Sequence, residues 1–232
     1  MPDALEPALA GELRAALDAA LAGGLRDAPL EHAEQVAAVA AALWRAFQGV
    51  GLECVLVGGS AIEVHAPGLY VTGDVDVVLD GFGRACVRDT ADAVLTALGF
   101  ARAGRHWTRG ALFVEIPGVT LDDPTELVRV GALRFRVVRK EVLLRDRIVG
   151  FLHWRQPAYG QQAVDLLAAF DPEELDQAWL RAALRREGAE AAYDALRQLA
   201  TSGDAPVDTA ALERLLDDLR RPHSGGATRG AS

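Results

Sequence analysis

Two aspartates interrupt an apolar run at positions 74 and 76, within the stretch VLVGGSAIEVHAPGLYVTGDVDVVL that covers residues 55–79. A strand that served only a hydrophobic core would not carry them. Alternate residues of a strand share a face, roughly 6.5–7 Å apart at the backbone. Asp74 and Asp76 therefore project together, while Val75 and Val77 face the other way. Carboxylates this close repel each other, and apolar neighbours at Val77, Val78 and Leu79 raise that cost. A hard divalent cation removes the conflict, since magnesium takes carboxylate oxygens and keeps waters that a phosphate substrate can use. A solvated strand edge with two ordinary aspartates is the competing explanation.

The turn before this strand tilts the balance. Gly58 and Gly59 leave backbone amides accessible, and Ser60 opens a segment, SAIEVHA, that reads as a helix stopped by Pro67-Gly68. A helix N-terminus favours an anion. A phosphate held there lies near a metal held by the aspartates if the two strands are neighbours. A tight strand-to-helix turn that merely needs glycine is the plainer alternative.

Around this motif the hydrophobic period changes along the chain. Residues 4–22 and 31–49 read as helices, closed by Gly23-Gly24 and by Gly49 and Gly51. ECVLVG and VDVVLD read as strands, and RDTADAVLTALGF as a helix with Asp89 or Thr90 as N-cap and Gly99 as its stop. RHWTR, ALFVEIP and ALRFRVV are further strands, the last with Leu133, Phe135 and Val137 opposite Arg134 and Arg136. From about residue 142 to about 219 the pattern is helical. The expected class is α/β (α+β), a mixed sheet flanked by helices. Residues 1–50 are expected as N-terminal helices packing on the core, 51–140 as the α/β core, 141–221 as a C-terminal helical region, and 222–232 as a disordered tail.

The totals exclude several classes. A net charge of −9 argues against a nucleic-acid coat protein or a membrane-surface binder. The acidic N-terminus does not read as a signal peptide, and no apolar run reaches the ~18 residues of a membrane span. Cys54 and Cys86 lack metal-ligand spacing, as expected of a reducing compartment, and a cytoplasmic protein is the default. Neither a Cys-His or Ser-His-Asp pattern nor a G-x-G-x-x-G spacing is present.

VGGSAIEVHA followed by TGDVDVVL resembles the nucleotidyltransferase superfamily typified by DNA polymerase beta. Fourteen residues separate Gly59 from Asp74, slightly more than that signature usually has. Thr72-Gly73-Asp74-Val75-Asp76 is similar to the T-x-D-[IV]-D form of small bacterial members, including toxin-type and abortive-infection nucleotidyltransferases. The resemblance implies a third carboxylate, for which Glu115 in ALFVEIP is the match, and a one- or two-ion magnesium site at Asp74, Asp76 and Glu115. It implies Gly58, Gly59, Ser60 and Thr72 as substrate-binding residues. Residues 141–167 are similar to a helical segment of a poorly characterised bacterial and archaeal branch, through Asp146-Arg147, His153-Trp154 and Gln162-Ala163. Many active toxin-type relatives carry a triphosphate-contacting lysine or Lys-Asp pair, where the nearest positions here read Gln161-Gln162 with Asp165 following, and Arg147 is the candidate to take the phosphate role.

The implied activity is transfer of a nucleoside monophosphate from a nucleoside triphosphate to a hydroxyl, on an RNA end or a protein. The alternative is a weak or inactive module that binds nucleotide or, through its helical regions, a protein partner. Residues 129–155 hold eight arginines and lysines against Glu141 and Asp146, a basic segment suited to phosphates; a solvated face paired with acidic helices is the simpler reading. His65 is expected in a packing or capping contact and His153-Trp154 in a core. Trp44, Trp107 and Trp179 are expected as core or interface aromatics.

Overall fold

The computed structural model of the chain describes residues 4–22, 24–26, 28–81, 84–202 and 207–219, and of residues 29 and 84–86 the backbone only. Gly23, the Cys86 side chain and the tail at 222–232, on which expectations fell, lie outside the described residues. The chain divides into two compact units, Met1–Leu143 and Leu144–Ser232.

The first unit opens with helices α1 (Pro7–Ala20) and α2 (Pro29–Gln48), each with proline in its first turn. Proline is pre-set for that position, because the amide it lacks would have no helical partner. Next come β1 (Glu53–Val57), α3 (Gly58–His65), β2 (Asp74–Asp80) and α4 (Arg84–Ala97). Five more strands follow: β3 (Ala101–Ala103), β4 (His106–Arg109), β5 (Leu112–Glu115), β6 (Thr125–Val130) and β7 (Leu133–Val138). The seven strands form one mixed sheet in the order β3-β4-β5-β2-β1-β7-β6. β1 runs antiparallel to β2 and parallel to β7, and β2 runs parallel to β5.

Register sorts the side chains into two faces. Cys54 and Leu56 of β1, Val75, Val77 and Leu79 of β2, Val114 of β5, and Phe135 and Val137 of β7 are all buried on one face. Helix α2 packs on β1 and β7, with Val39, Leu43 and Phe47 fully buried. The opposite face carries Asp74, Asp76, Phe113 and Glu115. Cys54 is a free thiol whose burial pushes its pKa far above the ordinary value, so it is unreactive.

Three differences from the sequence expectation have physical causes. β3 and β6 went unread because both are edge strands: ARA is wholly exposed, and TELVRV has no fully buried residue to mark a period. α4 starts at Arg84, a turn before Asp89 or Thr90, because its buried face already includes Val87 ahead of Ala91, Val94 and Leu95. α3 starts at Gly58, so both glycines belong to its first turn.

Helix α5 (Lys140–Trp154) crosses the boundary between the units. The second unit continues with α6 (Pro157–Ala169), a 3-10 turn at Pro172–Glu174, α7 (Gln177–Arg186), α8 (Glu190–Thr201) and α9 (Thr209–Asp218). α6 packs on α8 and α9 around Leu166, Tyr193, Leu196 and Leu212. Side-chain caps define three starts: Asp171 accepts from the Glu173 amide, Asp176 from the Trp179 amide and Asp208 from the Ala210 amide. His153 and Trp154 are not core. Both are exposed; the His153 Nε2–H donates to the Glu187 carbonyl at 3.1 Å, and Trp154 meets Tyr159 edge-on. No helix among the described residues is long and apolar enough to cross a membrane.

Candidate metal centre

Asp76 is the hinge of the site. On β2 it sits opposite Val57, the last residue of β1, and opposite Glu115, the last residue of β5. Asp74 lies one step before it on the same face, opposite Phe113. One carboxylate oxygen from each of Asp74, Asp76 and Glu115 falls within 4.8 Å of the others, and all three side chains are half-buried. The sheet thus joins three acids that the sequence spreads over 42 residues. On Glu115, Arg105 Nε lies 3.4 Å from Oε1 and His106 Nδ1 lies 3.6 Å from Oε2. Arg105 is largely exposed, so its pull on the carboxylate is weak.

The glycine turn is moulded around these acids. Gly58 has φ +64°, and a Cβ there would meet the Asp76 carboxylate oxygen at 2.4 Å. At Gly59 a Cβ would meet the Thr72 methyl at 2.5 Å. Ser60 is fully buried, and its hydroxyl accepts from the Asp76 amide at 3.2 Å while donating to the Val57 carbonyl at 3.1 Å. The hydroxyl is therefore occupied in bridging β1 to β2, and what this turn offers a phosphate is its backbone. The first amides of α3 have no intrahelical carbonyl to bond.

Thr72 is held from behind. Its amide and its hydroxyl both lie 2.7 Å from Glu63 Oε1, and the hydroxyl is also 3.0 Å from the Asp74 carbonyl. Glu63 is fully buried on α3, and its other oxygen bonds His32 of α2, which is also buried. Sequence reasoning passed over Glu63 and His32. A single acid in a short helix and a histidine 31 positions away carry no periodic signal of their pairing.

Arg147 belongs to the second unit. Its guanidinium lies 5.5 Å from the Tyr159 ring centroid, and its buried Nε has no partner among the described residues. The other cations of the basic segment are largely engaged. Arg134 stacks on Trp44, Arg136 bonds Glu53 and Thr125, Arg139 pairs with Glu141, Arg145 with Asp146, and Arg155 with Asp217. Two of these partners, Glu141 and Asp146, are the segment's own acids, and among these pairs only that of Arg155 reaches an acid on another helix.

His65 closes α3 onto β7: its Nε2–H donates to the Val138 carbonyl at 2.8 Å. Burial is the largest influence and lowers its pKa, with Lys140 adding to that and the Val138 bond, Glu126 and Glu141 opposing it. A histidine whose native pKa is depressed adds stability above its unfolded value, near 6.5, and that stability drains as pH falls through the native value. Denaturant midpoints between pH 7.5 and 5 should fall more steeply in the wild type than in His65→Gln. Parallel curves would remove His65 as the acid-sensitive group.

No family model and no curated protein matches the sequence. Among solved structures the chain is similar to an antigenic nucleotidyltransferase-like protein from Paracoccidioides brasiliensis. The identity is 14% and the TM-score 0.49, over 71% of this chain and 93% of that one. At that identity and score the likeness assigns neither family nor activity.

Proposed function

We propose that the protein is a magnesium-dependent nucleotidyltransferase that moves a nucleoside monophosphate from a nucleoside triphosphate to a hydroxyl. The observation that carries this is the convergence of Asp74, Asp76 and Glu115 within 4.8 Å beside a glycine-opened helix start. The donor set is all oxygen, and its span suits the ~4 Å between opposed ligands of a magnesium octahedron. Asp74 and Asp76 would hold the metal, or bridge two, with Glu115 completing the set. When bound, the metal supplies charge neutralisation at the phosphates.

The chain's own residues do the rest. The first amides of α3, at Gly58, Gly59 and Ser60, favour the anionic triphosphate, and Thr72 stands against Gly59 at the same turn. Glu115 takes the proton of the acceptor hydroxyl. That oxygen bonds the α-phosphorus as the α–β bridging bond breaks, and pyrophosphate leaves. The motif's likeness to toxin-type members favours an RNA end or a protein hydroxyl as acceptor; the two unspaced cysteines favour a cytoplasmic setting, and the helical regions offer surfaces for a protein partner.

A second reading, a module that binds nucleotide without turnover, is favoured by Gln161-Gln162 where active relatives carry lysine. Calorimetric titration of magnesium and then of each nucleoside triphosphate tests both. Triphosphate binding should require the metal, and pyrophosphate should appear when RNA or protein acceptors are supplied. Metal-dependent binding with no pyrophosphate from any acceptor selects the module. Binding that ignores the metal, or none at all, overturns both.

A further inference from the structure

The best-formed polar cluster outside the three acids is buried directly behind them. Glu63 is 0% exposed and His32 3%. A buried carboxylate is costly unless it is fully bonded, and an apolar residue of similar volume is often neutral or better for stability. Stability alone does not call for glutamate here. Its bonds are also specifically placed. One oxygen takes two donors, both from Thr72, which lies two residues before Asp74. The other oxygen is fixed by His32 of α2.

Helix α3 therefore grips the acid-bearing strand at two points. Ser60 accepts the Asp76 amide, and three residues later Glu63 holds Thr72, whose hydroxyl lies against the Asp74 carbonyl. We propose that His32, Glu63 and Thr72 form a buried positioning relay that sets Asp74 beside Asp76 for the metal, making α2 a functional part of the centre. This rests on the metal reading above. The three residues touch no metal; they act through the backbone that carries Asp74. Partners behind metal ligands commonly change metal affinity by about 10–100-fold when altered.

The probe is manganese alone, titrated by electron paramagnetic resonance into full-length wild type, Glu63→Gln, His32→Gln and Thr72→Val, with Asp74→Asn/Asp76→Asn as control. Thermal unfolding of each metal-free variant sets a titration temperature at which all are folded. Thr72→Val keeps the β-branch and the methyl against Gly59 and deletes only the hydroxyl, so it decides the matter if Glu63→Gln does not fold. The expected result is about tenfold or more weaker binding in Glu63→Gln. Thr72→Val should show a smaller loss, and His32→Gln, which keeps a donor, should be closest to wild type. A purely structural cluster lowers unfolding temperatures and leaves the manganese affinity of folded protein unchanged, and that result overturns the relay. Wild-type protein that binds no better than the double-aspartate control sinks the metal reading itself, and the relay with it.

Discussion

If the proposed reading holds, Asp76→Asn should abolish metal-dependent transfer and, in the absence of metal, leave a protein at least as stable as the wild type. Asp76 is the acid between the other two, adjacent to Asp74 on one strand and opposite Glu115 on the next. Removing its charge relieves repulsion among oxygens that lie within 4.8 Å of each other. After solvent screening that relief is on the order of 1 kcal/mol. On the proposed reading the same change would also remove a metal ligand worth several kcal/mol of charge stabilisation, a rate loss of about a thousandfold or more. Two measurements check it: single-turnover transfer, and unfolding temperature in chelator against magnesium. Magnesium should raise the wild-type transition and leave that of the variant unmoved. Surviving transfer would mean the metal site is elsewhere. A large loss of stability in chelator would make Asp76 a structural residue.

Gly58→Ala should damage the fold and the centre together. The backbone there has φ +64°, where a side chain costs about 1–2 kcal/mol. The new methyl would also crowd the Asp76 carboxylate oxygen and its Cγ, so the short carboxylate must leave the position it holds beside Asp74 and Glu115. The expected outcome is about 2 kcal/mol of destabilisation with metal affinity reduced to the level of Asp76→Asn. A double-mutant cycle separates the two effects. In an Asp76→Ala background most of the clashing atoms are gone, and the penalty for Gly58→Ala should shrink to that of the backbone angle alone. An unchanged penalty would show that the methyl does not act through the carboxylate.

The strands that cross the middle of the sheet were legible as apolar runs, because residues buried on a pleated face print a pattern on their own sequence. β1, β2, β5 and β7 were found that way. Edge strands β3 and β6 bury too little to leave such a mark. Gly58 and Gly59 were readable as a turn, but the objects they avoid, the Asp76 carboxylate and the Thr72 methyl, were not. Ser60 shows the same limit: its place at the helix start was readable, but the bridge its hydroxyl makes between the Val57 carbonyl and the Asp76 amide was not.

By itself the sequence determined the two aspartates on one face of a strand, the glycine turn before them, and a helical C-terminal third. These follow from periods of two and 3.6 and from residues that punctuate the backbone, all of them local. Only the tertiary structure decided that Glu115 stands beside Asp76, that His32 reaches Glu63, and that the arginines of the basic segment are largely spent on partners. Those facts depend on which strands pair and which helix lies behind them. Pairing is a choice among distant segments, made by the whole core at once, and no window of neighbouring residues contains it.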